Sequence, residues 1–226
     1  NIFDTDVVGG AVTLTSQFAT GPVSHSLVYG GDWSQTTQES LRDGTVPPVG
    51  ETFPTRAFPT TDYTRTGLYI QDEITALDGK LSLYPAVRYD SYDLKPKADA
   101  LLTTFTPSPQ SGSHVSPKLS GLYRINGNLS LFVNYAEGFK APSPSEVNNA
   151  FANLVSNYKT LPNPDLKPEE ASTVSGGVVL KPSFIDNLSL SLDWYSISIH
   201  QAVFTANNTQ ILQQCANHVA IYCGDL

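Results

Sequence analysis

Strict alternation of apolar and polar residues limits what this chain can fold into more than any other feature. In Leu188-Ser-Leu-Ser-Leu-Asp-Trp-Tyr195, one face carries Leu188, Leu190, Leu192 and Trp194, and the other Ser189, Ser191, Asp193 and Tyr195. Leu129, Leu131, Val133 and Tyr135 likewise oppose Ser130, Phe132, Asn134 and Ala136. Leu68, Ile70 and Ile74 oppose Gly67, Tyr69, Gln71 and Glu73, and Leu119, Gly121, Tyr123 and Ile125 oppose Ser116, Lys118, Ser120 and Arg124. A period of two belongs to a strand that meets different surroundings on its two faces.

The pattern predicts eight strands, over 7–19, 23–33, 63–76, 80–93, 115–125, 129–138, 171–181 and 187–204. Most exceed the five or six residues of an ordinary soluble strand and reach the length that crosses a bilayer at a tilt. Their connections alternate in length. Thr20-Gly-Pro22, Asp78-Gly79, Asn126-Gly-Asn128 and 182–187 are short, whereas 34–62, 94–114 and 139–170 are long and 205–226 begins another. Short turns on one rim and long loops on the other mark bacterial outer-membrane barrels. A soluble sandwich remains the competing fold, since core tyrosines and alternating strands suit it too.

Composition narrows the classes further. A formal net charge of −8 leaves no basic face for sequence-independent contact with nucleic acid. No run of 18 apolar residues exists, which excludes a transmembrane helix and leaves a barrel open. Arg65, Glu73, Arg88, Asp90, Lys118, Arg124 and Asp193 fall on polar faces, where a wet lumen tolerates charge. Asp72 falls on an apolar face and fits only at headgroup level, near a short turn. Cys215 and Cys223 suit a loop-closing disulfide of an oxidising compartment. A metal site there would need more ligands than His218.

Five stretches, in order, resemble the TonB-dependent outer-membrane receptors. They are Gly67-Leu-Tyr-Ile-Gln-Asp-Glu-Ile74, Val87-Arg-Tyr-Asp90, Ser116-Pro-Lys118, Asn134-Tyr-Ala-Glu-Gly-Phe-Lys-Ala-Pro-Ser143 and Asn163-Pro-Asp-Leu-Lys-Pro-Glu169. Lys140 stands where the family usually has Arg, keeping the charge and losing the planar fork. Phe53-Pro-Thr55, Ser143-Pro-Ser-Glu-Val-Asn148, Phe151-x-Asn153 and Tyr158 before Pro162-Asn-Pro-Asp-Leu166 are closest to the haem and haemoglobin receptor branch.

The resemblance implies an all-β fold: an antiparallel transmembrane β-barrel of about 22 strands, of which residues 1–226 supply about eight as one partial barrel domain. The plug domain would lie outside this chain, and the TonB energy-transducing complex would act through that plug. The implied setting is the bacterial outer membrane, in contact with its lipid, and the implied cargo is haem, free or taken from a haemoprotein. The implied ligand-binding residues are Phe139, Lys140, Ala141 and Pro142 of the first box, Phe151, Tyr158 and Lys159 of the loop, and Asn163, Pro164, Asp165 and Leu166 of the second.

Many haem receptors carry an iron-ligating His between the two boxes, whereas residues 143–162 contain none. Tyr158 is the residue there able to ligate ferric haem iron, and a loop-packing role competes with it. His114 and His218 fall on the outer side, His25 near a short turn. The boxes also have a structural reading, with prolines fixing a strand exit and Asn163 and Asp165 capping a turn. A siderophore receptor of the same architecture and a passive small barrel stay open. An outer-membrane enzyme lacks a visible nucleophile with its base, so no catalytic role is expected.

Overall fold

A computed structural model describes residues 1–102, 106–153, 155, 158–185, 187–219 and 223; of Tyr158 and Asn208 it describes the backbone alone. Eight long strands form one antiparallel sheet: β1 (Ile2–Thr20), β2 (Val23–Leu41), β3 (Thr61–Ala76), β4 (Leu81–Pro96), β5 (Gln110–Arg124), β6 (Leu129–Lys140), β9 (Glu169–Leu180) and β10 (Leu190–His200). Each pairs with its sequence neighbour, β6 pairing directly with β9. The excursion between those two holds helix α1 (Pro144–Val147) and the small pair β7 (Ala152–Asn153) and β8 (Tyr158–Lys159). Helix α2 (Asn208–Ala216) follows β10.

Register sorts the faces without ambiguity. One row of partners runs Phe18, His25, Ile74, Leu83, Gly121, Val133, Gly176, Trp194 across all eight strands. A higher row runs Val12, Gly31, Leu68, Tyr89, Val115. Among the described residues this apolar face has no second layer over it: Leu68 is 57%, Leu119 53%, Val133 58% and Leu192 74% exposed. A sandwich would bury these residues, so the sandwich alternative fails.

Above Leu68 and Tyr89 the same face turns polar at a common level. Thr64, Asp93 and Ser111 share a row, and Asp62 and Lys95 share the row beyond it. Between Ala76 and Leu68, β3 rises about 20 Å at a 45° tilt, close to the roughly 25 Å apolar band of a barrel. Strands β1 and β2, 19 residues each, rise about 45 Å at that tilt, so their upper ends stand clear of hydrocarbon.

That rise explains the main departure from expectation. Strand β2 was predicted to stop at residue 33 and runs to Leu41. Its last turnless stretch, Ser34-Gln-Thr-Thr-Gln-Glu39, is polar on both faces, because above the lipid both faces meet polar surroundings. Strand β5 similarly starts at Gln110 rather than 115, and β10 is shorter than the predicted 187–204.

Asp72 also finds its explanation. His25 Nδ1 and Asp72 Oδ2 lie 2.6 Å apart, and the Phe18 ring stacks on His25 at 4.7 Å. His25 shares its row with Trp194, near the short-turn rim, where headgroups replace hydrocarbon and interfacial aromatics gather.

On the opposite face the predicted charges assemble. Arg88 donates to both carboxylate oxygens of Asp32 at 2.7 Å and, through Nε, to Asp90 at 2.8 and 2.9 Å. The guanidinium crosses Gly67, where a Cβ would meet it at 1.9 Å and push the Arg88–Asp32 pair aside. Rings use the same device: Tyr69 lies over Gly30 and Tyr92 over Gly112.

Candidate functional site at the outer rim

The buried part of the molecule sits where the polar face meets the long loops. Phe58, Tyr92, Leu94, Leu102 and Val147 form its apolar centre, with Pro142, Pro144 and Asn148 fully enclosed beside them. The first sequence box feeds into it through Pro142.

In the first box, Phe139 stacks on His114 with ring centroids 5.1 Å apart and lies 6.5 Å from Tyr92, which meets Tyr63 edge-on at 6.4 Å. Four rings from β3, β4, β5 and β6 thus make a continuous aromatic wall. Lys140 Nζ stands 3.0 Å from Glu146 and 3.5 Å from Glu169, so an incoming anion meets a cation already held by two carboxylates. Ala141 is half-buried and Pro142 fully buried, and together they turn the chain into α1.

Helix α1 begins at Ser143, whose amide donates to Glu146 Oε2 at 2.7 Å, with Pro144 in the first turn. Burial pushes the Glu146 carboxyl up, but the Ser143 amide and Lys140 outweigh it and hold the group below its ordinary value. One residue past α1, Asn148 accepts from the Ser108 amide at 2.8 Å and donates to the Ser108 carbonyl at 2.9 Å. It thereby ties the 141–168 excursion to the segment before β5.

Phe151 lies under Arg42, whose Cζ is 4.8 Å from its ring and 5.8 Å from that of Phe53, while Arg42 pairs with Glu51 at 2.9 Å. Lys159 is exposed on β8. The side chain of Tyr158, the candidate iron ligand, lies outside the described residues. In the second box, Asn163 Oδ1 accepts the Asp165 amide at 3.2 Å, a side-chain-closed turn. Gln110 Nε2 donates to the carbonyls of Pro164 and Leu166. Asn163, Pro164 and Asp165 are exposed and Leu166 half-buried.

The two boxes are therefore brought to one rim, where Phe139 packs on His114, Lys140 pairs with Glu146 and Glu169, and the second box is pinned to β5 by Gln110. Four contributors lay outside the expected site: Arg42, Tyr92, Gln110 and Asn148. His114, expected in a loop, sits on β5 and joins the aromatic wall. Cys215 and Cys223 are joined as a disulfide beyond β10.

A single-layer antiparallel wall, apolar outside and charged inside, with short turns at one rim and packed loops at the other, defines an outer-membrane barrel. The TonB dependent receptor-like, beta-barrel family matches residues 2–223, and the chain belongs to it. A hemin receptor of Yersinia pestis is 26% identical over 211 residues, 88% of this chain and 28% of its own length. A hemin receptor of Yersinia enterocolitica is 30% identical over 175 residues, 74% of this chain and 23% of its own. Among solved structures, a double mutant of the Serratia marcescens hemophore receptor HasR, in complex with its hemophore HasA and heme, superposes with a TM-score of 0.68 at 17% identity. That match covers 87% of this chain and 33% of HasR. The chain spans about a quarter of the length of the curated relatives it matches. The family is one of receptors, and it places the chain in the bacterial outer membrane.

Proposed function

We propose that this chain is part of the wall of a receptor that imports haem, taken up free or from a haemoprotein, with energy delivered by the TonB complex through a plug outside these residues. The likeness to two hemin receptors over most of the chain carries the reading. The rim chemistry agrees with it. Haem has a flat apolar ring and two carboxylates, and the rim carries the ring of Phe139, the neighbouring cation Lys140 and, on β8, the exposed Lys159. Haem is here cargo, and the charged inner face gives it and its water a polar path. Titrating the purified receptor with haemin tests this. A saturable shift of the Soret band is expected, and its absence would contradict the proposal.

The lack of any His in residues 143–162 favours a second reading, import of a ferric siderophore or other metal chelate. Growth of a strain dependent on this receptor separates the two. Haem import predicts growth on haemoglobin as sole iron source, and the chelate reading predicts growth on a ferric siderophore alone.

A further inference from the structure

His25 and Asp72 stand on the side of the wall that meets lipid. His25 lies opposite Ile74 and Asp72 opposite Leu27, so both share the face of Leu68 and Ile70. The His25 row is two residues from the end of β3 at Ala76, roughly 5 Å at a barrel tilt, which is headgroup depth. A carboxylate facing lipid is costly unless its charge is balanced. Among the described residues Asp72 pairs with His25 Nδ1 and with no lysine or arginine, and its Oδ1 is enclosed without a hydrogen bond. With Nδ1 donating its proton to Asp72, the neutral imidazole carries its lone pair on Nε2. That nitrogen has no protein partner among the described residues and, unlike Asp72 Oδ1, is not enclosed. Phe18 stacks on the ring with 7° between the planes, so it covers a face and leaves the edge open.

We propose that His25 and Asp72 form a binding site for the primary ammonium of a phospholipid headgroup, that of phosphatidylethanolamine, in the leaflet on the short-turn side. The pair presents a hydrogen-bond acceptor backed by a single negative charge, on an apolar wall at headgroup depth. Its complement is a cation with N–H groups to donate, and the membrane supplies one. The ammonium donates to His25 Nε2, and Asp72 opposes its charge through the ring. The acyl chains of the same lipid run along the apolar rows of Ile70 and Leu68. A choline headgroup has the same phosphate and net charge but no N–H to give. A glycerol headgroup has no cation at all. The site is independent of the cargo and asks only that lipid meets this face.

Native mass spectrometry of the full receptor, released from nanodiscs holding equal amounts of phosphatidylethanolamine, phosphatidylcholine and phosphatidylglycerol, tests the site. Wild type is expected to retain phosphatidylethanolamine about fivefold over phosphatidylcholine. Asp72→Asn should bring the two to parity. Asp72→Leu, apolar in an apolar wall, guards against a folding defect and should do the same. Glu73→Gln removes a neighbouring carboxylate from the opposite face and should keep the preference. Equal retention of the two lipids by wild type overturns the proposal, as does a preference that survives in both Asp72 variants. Loss of the preference in Glu73→Gln also overturns it, by moving the source of the charge to the inner face. So does a preference for phosphatidylglycerol, which would mark the pair as cationic.

Discussion

Arg88 and Asn148 each hold a different part of the structure, and their removal has different consequences. Arg88 is flanked by Asp32 and Asp90, so Arg88→Ala would leave two carboxylates facing each other across Gly67. Partial exposure screens the repulsion, and a loss of about 1–2 kcal/mol is expected in denaturant unfolding of the receptor in detergent. Asn148→Ala leaves the Ser108 amide and carbonyl without their partner. It is expected to loosen the outer loops by about 1–3 kcal/mol, measured as faster limited proteolysis within residues 141–168 with the strands intact. Glu146 adds a pH dependence. Its carboxyl lies lower in the folded rim than its ordinary value of 4.5, so its stabilisation is complete above that value and fades as pH falls through the folded one. Hydrogen-exchange protection of Val147 and Asn148 should therefore drop on acidification, and Glu146→Gln should remove that dependence.

Strands differ in how plainly their sequences announce them. Within the lipid band, alternation is enforced by hydrocarbon on one side and water on the other, so Gly67 to Ile74 and Leu129 to Tyr135 were legible with their faces. Beyond the band that contrast vanishes, and the upper halves of β1 and β2 left no periodic trace. Helix α1 did leave one, the Ser143-Pro-Ser-Glu146 capping pattern, which sits inside a segment that otherwise looks like plain loop. Both boxes were legible as motifs. Their partners were not: the Phe139–His114 stack and the Gln110 contacts with Pro164 and Leu166 join residues 25 to 56 positions apart, and depend on which strands become neighbours. The face assignment predicts an asymmetry between adjacent positions of the wall. Val87→Arg, in the middle of the apolar band, is expected to destabilise the barrel by about 2–4 kcal/mol in lipid. Gln71→Arg, on the opposite face, is expected to change stability by well under half of that, with the same refolding assay checking both.

At the scale of the whole molecule, β1 and β10 each have a single neighbour among the described residues, so the eight-stranded sheet they form is open at both edges. Open edges are not tolerated in hydrocarbon, where every backbone donor and acceptor needs a partner. A closed receptor wall therefore requires strands against both, in keeping with a chain that covers about a quarter of its curated relatives. What unites wall, rim and cargo is the claim that lipid bathes the leucine-bearing face. Nitroxide labels attached singly along residues 68 to 74 of the receptor in bilayers test that claim directly. Labels at Leu68, Ile70 and Ile74 are expected to respond to oxygen dissolved in hydrocarbon, and those at Tyr69, Gln71 and Glu73 to a water-soluble nickel chelate. Accessibility that fails to alternate, or alternates in the opposite phase, would contradict it.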